Sequence, residues 1–314
     1  MPDAPDRIYL DRISSETDFL RDPLEKVYRL LELLHTIAVA PGVGEKLLLK
    51  GGTAIQFVYL DYKRLSVDID FNYVGSVERD VMMEDRQDIH LLLFRIFKEF
   101  NYEIEKGISA HAEEQYVLAY TNSAGNRDRI KVEINYLERL PALSPVRKPL
   151  KHPFDILKTG MVPTFGYEEV IAQKTRALIT RATPRDLYDV HLISQSPAPF
   201  DRNLYRKTTL FYLCLAPGDV RGMTMDKINS IDKRDVRRNL APLLKRREYA
   251  VDLTGIKKSC LGMVEPILAL TSEEREFFDR FYDDKAFEQE LLFGDIKLEC
   301  NLIRHPGVQW RLQN

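Results

Sequence analysis

The order of apolar and polar residues divides the chain into readable segments. From Asp22 to Ala40 apolar residues recur at helical spacing, with Leu24, Val27, Leu31, Leu34 and Val39 on the stripe, which predicts a helix with one buried face. "APGVGE" ends it, "KLLLK" reads as a short buried strand, and "GGTAIQFVYLDY" as a turn into a helix. In "RLSVDIDFNYV" the period becomes two, with Leu65, Val67, Ile69 and Phe71 on one face and Ser66, Asp68 and Asp70 on the other. Residues 86–100 return to helical spacing through Ile89, Leu92, Leu93, Ile96, Phe97 and Phe100. "YEIEK", "QYVLAYT" and "RIKVEINYL" follow as strands, the last two joined by the turn-rich "NSAGNRD". Ile130, Val132 and Ile134 share one face of the third strand; Lys131, Glu133 and Asn135 share the other. The Pro- and Lys-rich stretch 141–153 reads as an exposed loop.

"TFGYEEVIAQKTRALITR" predicts a helix beginning near Gly166. "TPRDLYDVHLIS" predicts another, with Thr183 as N-cap and Pro184 at the first helical position. "SQSPAPFDR" is the best linker, dividing the chain into 1–196 and 197–314. The second part is mostly helical in pattern, with Thr271 and Glu274 forming a capping box before Phe277, Phe278, Phe281 and Tyr282. The expected class is α/β, of the α+β mixed-sheet kind, followed by a mainly helical region.

Composition narrows this picture in two ways. No apolar run reaches the length of a membrane span, and the polar N-terminus has no apolar core for a signal peptide. Cys214, Cys260 and Cys300 are too few and too scattered for a disulfide framework or a zinc pattern, so a reducing, cytoplasmic setting is expected. Net charge is only −2, yet residues 201–250 carry 12 Lys/Arg against 6 Asp/Glu. A basic face for a polyanion is therefore compatible with a near-neutral chain.

The chemistry concentrates in "GGTAIQFVYLDYKRLSVDID". A spacing of two in a strand puts Asp68 and Asp70 on one face, where they repel unless a cation lies between them. Mg²⁺ with oxygen ligands meets that need, and Glu133 on a later strand is a candidate third ligand. Alternatively the pair simply faces solvent on a half-buried edge strand. Gly51 and Gly52, at a strand-to-helix turn, allow backbone amides to approach a phosphate; they also suit an ordinary turn. Lys174 shares a helical stripe with Val170, Ile171, Ala177 and Leu178, so it either snorkels to solvent or points into a site. Asp186, three residues after Thr183, either completes a helix cap or acts on Lys174, and Asp189 lies one turn further on.

Lys50-Gly51-Gly52-Thr53-Ala54 and Arg64-Leu65-Ser66-Val67-Asp68-Ile69-Asp70-Phe71 resemble the first motif of the polymerase-β-like nucleotidyltransferases. The spacing is similar to that of the abortive-infection type E toxins and the mycobacterial nucleotidyltransferase toxins. The helix with Lys174 and the run Arg185-Asp186-Leu187-Tyr188-Asp189 resemble that branch's later motifs, so the likeness spans roughly 24–195. It implies Mg²⁺ (or Mn²⁺) on Asp68, Asp70 and Glu133, and an NTP touched by Gly51, Gly52, Thr53, Ser66 and Lys174. It also implies a functional Asp186, with Asp68, Asp70, Glu133 and Lys174 as its catalytic companions. Ser66, beside Asp68, is a place where a phosphoryl group would block metal or nucleotide.

The implied acceptor is the 3′ end of tRNA, and a cognate antitoxin is the implied partner. Arg237, Arg238, Lys245, Arg246 and Arg247 in "DKRDVRRNLAPLLKRREY" suit a phosphate backbone, or form a solvated helical face. A monomer is expected. Two other classes use the same residues: an enzyme modifying a small molecule or a protein, and a non-catalytic NTP-binding module.

Overall fold

The computed structural model describes residues 5–105 and 107–314. The chain forms two compact units. One takes in Met1–Arg139, Pro145–Thr164 and Ala241–Ala250; the other takes in Leu140–Ser144, Phe165–Leu240 and Val251–Asn314. The main division therefore falls at 164/165, upstream of the Pro-rich stretch near 196.

The first unit opens with helices α1 (Arg7–Thr17) and α2 (Arg21–Ala38). Strand β1 (Leu47–Lys50) passes directly into a short helix, α3 (Gly51–Ala54), which widens into a π-turn over Ile55–Tyr59. Then come β2 (Asp68–Tyr73) and α4 (Arg79–Glu99). Strands β3 (Glu103–Glu105), β4 (Ser109–Ala110), β5 (Glu113–Thr121), β6 (Arg127–Asn135), β7 (Val146–Pro149) and β8 (Met161–Thr164) complete one mixed sheet in the order β3-β5-β6-β2-β1-β8-β7, with β4 on β5.

Alternation decides what the sheet buries. Ile69, Phe71, Ile130, Val132 and Ile134 are fully buried, as are Leu24, Val27, Leu31 and Leu34 of α2 and Ile89, Leu93 and Phe97 of α4. α2 packs on β2, β6 and α4. Each such side chain contributes about 1.5–3 kcal/mol of hydrophobic stabilisation. The residues between them, Asp68, Asp70, Lys131 and Glu133, are thereby turned to the opposite face.

The β5–β6 hairpin turns where expected, with Asn122 Oδ1 accepting from the amides of Ala124 and Asn126. The stretch 141–153 departs from the expected loop, because it contains β7 paired antiparallel with β8. Arg147, Lys148 and Pro149 are exposed on it, the composition by which an edge strand avoids further pairing. α1 was not foreseen; only Leu10 and Ile13 are its buried apolar residues.

The second unit carries α5 (Tyr167–Arg181), α6 (Pro184–Gln195), α7 (Arg202–Leu215), α8 (Asp226–Ser230), α9 (Lys233–Asn239), α10 (Leu253–Leu268), α11 (Ser272–Tyr282), α12 (Gln289–Phe293) and α13 (Pro306–Gln313). Helix α5 starts after Gly166, Thr183 caps α6, and Thr271 and Glu274 form the reciprocal box on α11.

Candidate active site

The glycine turn and the acidic strand meet at contact distance. Gly51 has φ +69°, a conformation glycine adopts without a Cβ clash. A methyl group there would collide with Asp70 Oδ2, so backbone and carboxylate share one surface. A methyl group on Gly52 would stand 2.8 Å from Ser66 Oγ and 2.9 Å from Arg64 Nη2. Thr53 donates to the Asp68 carbonyl at 2.5 Å and lies 3.1 Å from Ser66 Oγ. Ser66 is 4% exposed, tucked beneath the turn.

Arg64 was not singled out by the sequence pattern, and hydropathy could not have placed it. It is 1% exposed, donates from Nη1 to the Leu65 carbonyl, and gives its backbone N–H to Gln56 Oε1. A cation therefore lies under the glycine turn. Its place inside the Arg-Leu-Ser-Val-Asp run was the available signal.

Register assembles the acidic face. β2 and β6 are parallel, with Asp68 opposite Lys131 and Asp70 opposite Glu133. β1 sets Lys50 opposite Asp70, and β5 sets Gln115 opposite Glu133. Neighbouring strands lie about 4.8 Å apart, so three carboxylates share a small area. Burial, then the charges of Asp68 and Glu133, push the Asp70 carboxyl above its usual range, with Lys50 and Lys131 pulling the other way. Lys131 Nζ donates to Glu133 Oε2 at 2.9 Å.

Crowded carboxylates whose charge raises a neighbour's pKa are short of positive charge, and that is the condition a divalent cation relieves. Among the described residues, no three His, Cys, Asp or Glu side chains form a ready cage. Mg²⁺ needs none, since it commonly takes one or two carboxylates and fills its shell with water and phosphate oxygens. Asp68 and Asp70 fit such an ion, with Glu133 next in the row.

In the second unit, Lys174 does not snorkel. It is 5% exposed, and its ammonium donates to Asp186 Oδ1 at 2.8 Å and lies 3.0 Å from Asp189 Oδ2. Asp186 also takes Arg181 at 2.7 Å and the Thr183 hydroxyl at 2.8 Å, while its own N–H caps onto Thr183. It is both a cap residue and a partner of the lysine. Burial alone would raise the Asp186 carboxyl; Lys174 and Arg181 outweigh it and hold the group well below the usual carboxylate range. Asp189 supplies the second negative charge, which leaves the buried lysine paired on two sides.

The basic stretch is not one helical face. Arg237 and Arg238 lie exposed on α9, in the second unit. Lys245, Arg246 and Arg247 belong to the first unit. There Arg246 bonds Asp18 at 3.1 Å, the Arg247 amide donates to Asp18 Oδ2, and Lys245 lies over the Phe19 ring. The Leu65 amide donates to the Leu243 carbonyl at 2.8 Å, tying this segment to the residue before Ser66.

Residues 32–284 match the model of the nucleotidyl transferase AbiEii toxins of type IV toxin–antitoxin systems. The chain belongs to the AbiEii family. This AbiEii chain is thus a nucleotidyltransferase toxin, and membership of a toxin–antitoxin family implies a cognate antitoxin. Its fold is similar to that of MenT4, a nucleotidyltransferase toxin from Mycobacterium tuberculosis H37Rv, with TM-score 0.64 over 98% of each chain at 15% identity. No curated protein sequence matches it. No helix of this AbiEii protein, among the described residues, is long and apolar enough to cross a membrane.

Proposed function

We propose that the protein transfers a nucleoside monophosphate from an NTP to the 3′ end of tRNA, blocking aminoacylation. The observation that carries this reading is the apposition of Gly51 to Asp70, a methyl's width from the carboxylate oxygen. One wall then serves both a phosphate and the ion beside it. Asp68 and Asp70 hold Mg²⁺ (or Mn²⁺), and Glu133 is the third carboxylate of the set. When bound, the ion neutralises phosphoryl oxygens and lowers the pKa of the attacking hydroxyl.

The chain's own residues do the positioning. Gly51, Gly52 and Thr53 offer backbone to the triphosphate, with Ser66 and Arg64 under them. Lys174 supplies a fixed positive charge for phosphate oxygens, and Asp186 and Asp189 hold its ammonium in one place. Arg237, Arg238, Lys245, Arg246 and Arg247 take the RNA backbone; the bond from Leu65 to Leu243 ties the last three to the segment carrying Ser66. We read the protein as a cytoplasmic monomer controlled by its antitoxin.

The test is to incubate the purified chain with tRNA, Mg²⁺ and each labelled NTP in turn. Labelled tRNA is expected with at least one NTP, and none with Asp68→Ala. Absence of label with every NTP across a full tRNA pool overturns the RNA-modifying reading. Label on a protein or a small acceptor instead would move the same site to another substrate.

A further inference from the structure

We propose that Lys131 is a resident counter-cation of the acidic face, a positioning residue that holds Glu133 and competes with the divalent ion. The inference rests on the metal-dependent reading above and concerns how tightly the ion is taken. Three observations carry it. Parallel register puts Lys131 directly across from Asp68 while its neighbour two residues on, Glu133, faces Asp70. The period of two then sends all four side chains to one face. Lys131 Nζ already occupies Glu133 Oε2 at 2.9 Å.

The rest of the row shows why this lysine matters more than its neighbours. Lys50 flanks Asp70 from β1, and the neutral Gln115 flanks Glu133 from β5. Lys131 is thus the cation bonded to the third carboxylate. With a side chain 35% exposed, it also has an open path away.

Two cations then share one set of oxygens. A divalent ion arriving at Asp68 and Asp70 meets the field of the ammonium, and Glu133 offers it both carboxylate oxygens only when Lys131 leaves Oε2. Metal uptake is an exchange and not a simple addition, so the ion's affinity is held low in the nucleotide-free protein. Substituting Lys131 by an uncharged residue removes the competitor and leaves three carboxylates to the metal.

The experiment is a calorimetric titration of the full chain with Mn²⁺, without nucleotide, for wild type, Lys131→Met, Lys131→Arg and Asp68→Asn, each checked for folding by circular dichroism. Lys131→Met should bind Mn²⁺ at least about fivefold tighter, the lower end of ordinary coupling between two sites. Lys131→Arg keeps the charge and should bind as the wild type does. Lys131→Gln replaces the Met variant if that one fails to fold. Tight binding by Asp68→Asn would overturn the metal reading and this inference together. Loss of binding in Asp68→Asn, with Lys131→Met unchanged or weaker, would overturn the role of Lys131 alone.

Discussion

Asp70 and Glu133 face one another across the parallel β2–β6 ladder, one strand from Lys50 on one side and one strand from Gln115 on the other. The face they share is rich in negative charge, and its occupants are fixed by strand pairing and not by loops.

Crowded like charges predict opposite effects on stability and activity. Asp70→Asn removes one of three neighbouring carboxylates. The metal-free protein should melt a little higher, by about 0.5–1 kcal/mol of stability, because a like-charge repulsion has gone. NTP-dependent transfer should fall at least about 10²–10³-fold, as for loss of a major electrostatic contact. Thermal melts in chelator, beside a labelling assay, check both.

The glycine turn gives a second prediction. Gly52→Ala places a methyl group within 3 Å of Ser66 Oγ and Arg64 Nη2, so the turn or the buried arginine must shift. Weaker NTP binding with intact folding is expected. Gly51→Ala should be worse on both counts, because φ is +69° and the methyl meets Asp70. The strain of that conformation alone costs about 1–2 kcal/mol. Equilibrium binding of a fluorescent NTP analogue separates the two variants.

Lys174 is the centre of a buried ion network, and its loss takes the ammonium away from two buried aspartates. Lys174→Met should destabilise the protein by about 3–5 kcal/mol, the usual cost of breaking a buried pair from one side. Urea unfolding measures it. Loss of labelling activity in a variant that is still folded at low temperature would separate catalysis from stability.

The same network fixes a pH dependence. The folded Asp186 carboxyl is held below its unfolded value of about 3.9, so it contributes stability above that pH. That contribution is lost as pH falls below about 4 toward the folded value. Asp186→Asn should therefore lower the melting temperature at neutral pH and flatten its decline between about pH 4 and 2. An unchanged acid limb would contradict the ionised network.

The basic residues should divide into two classes. Arg237→Ala and Arg247→Ala remove exposed charges, and each should reduce the salt slope of tRNA binding by about one per lost phosphate contact. Arg246→Ala breaks the bond to Asp18 and should cost stability as well. Filter binding at several salt concentrations, with melts of each variant, checks the split.

Much of this architecture was legible beforehand where one residue's neighbours decide its fate. Period-two alternation oriented Asp68, Asp70 and Glu133, and Thr183 with Pro184 marked the start of α6. β7 escaped because an edge strand made of Arg147, Lys148 and Pro149 has the composition of a loop. Arg64 escaped, and the role of Asp189 stayed open, for another reason: what a buried charge does depends on partners that only tertiary structure brings in. Lys131 was visible as a neighbour of Glu133, but its bond to that carboxylate depends on side-chain geometry. The basic run looked continuous in sequence, yet its two ends belong to different compact units.

That last division bears on how the protein could be dismantled. Residues 241–250 return to the unit that carries the acidic face, and Leu243 takes the amide of Leu65 there. A fragment ending near residue 196 would keep Asp68, Asp70 and Glu133 and still lack a strap of the unit that carries them. The helical half is therefore not a cassette to be exchanged between toxins: a graft that omits this short return segment should leave the first unit incomplete.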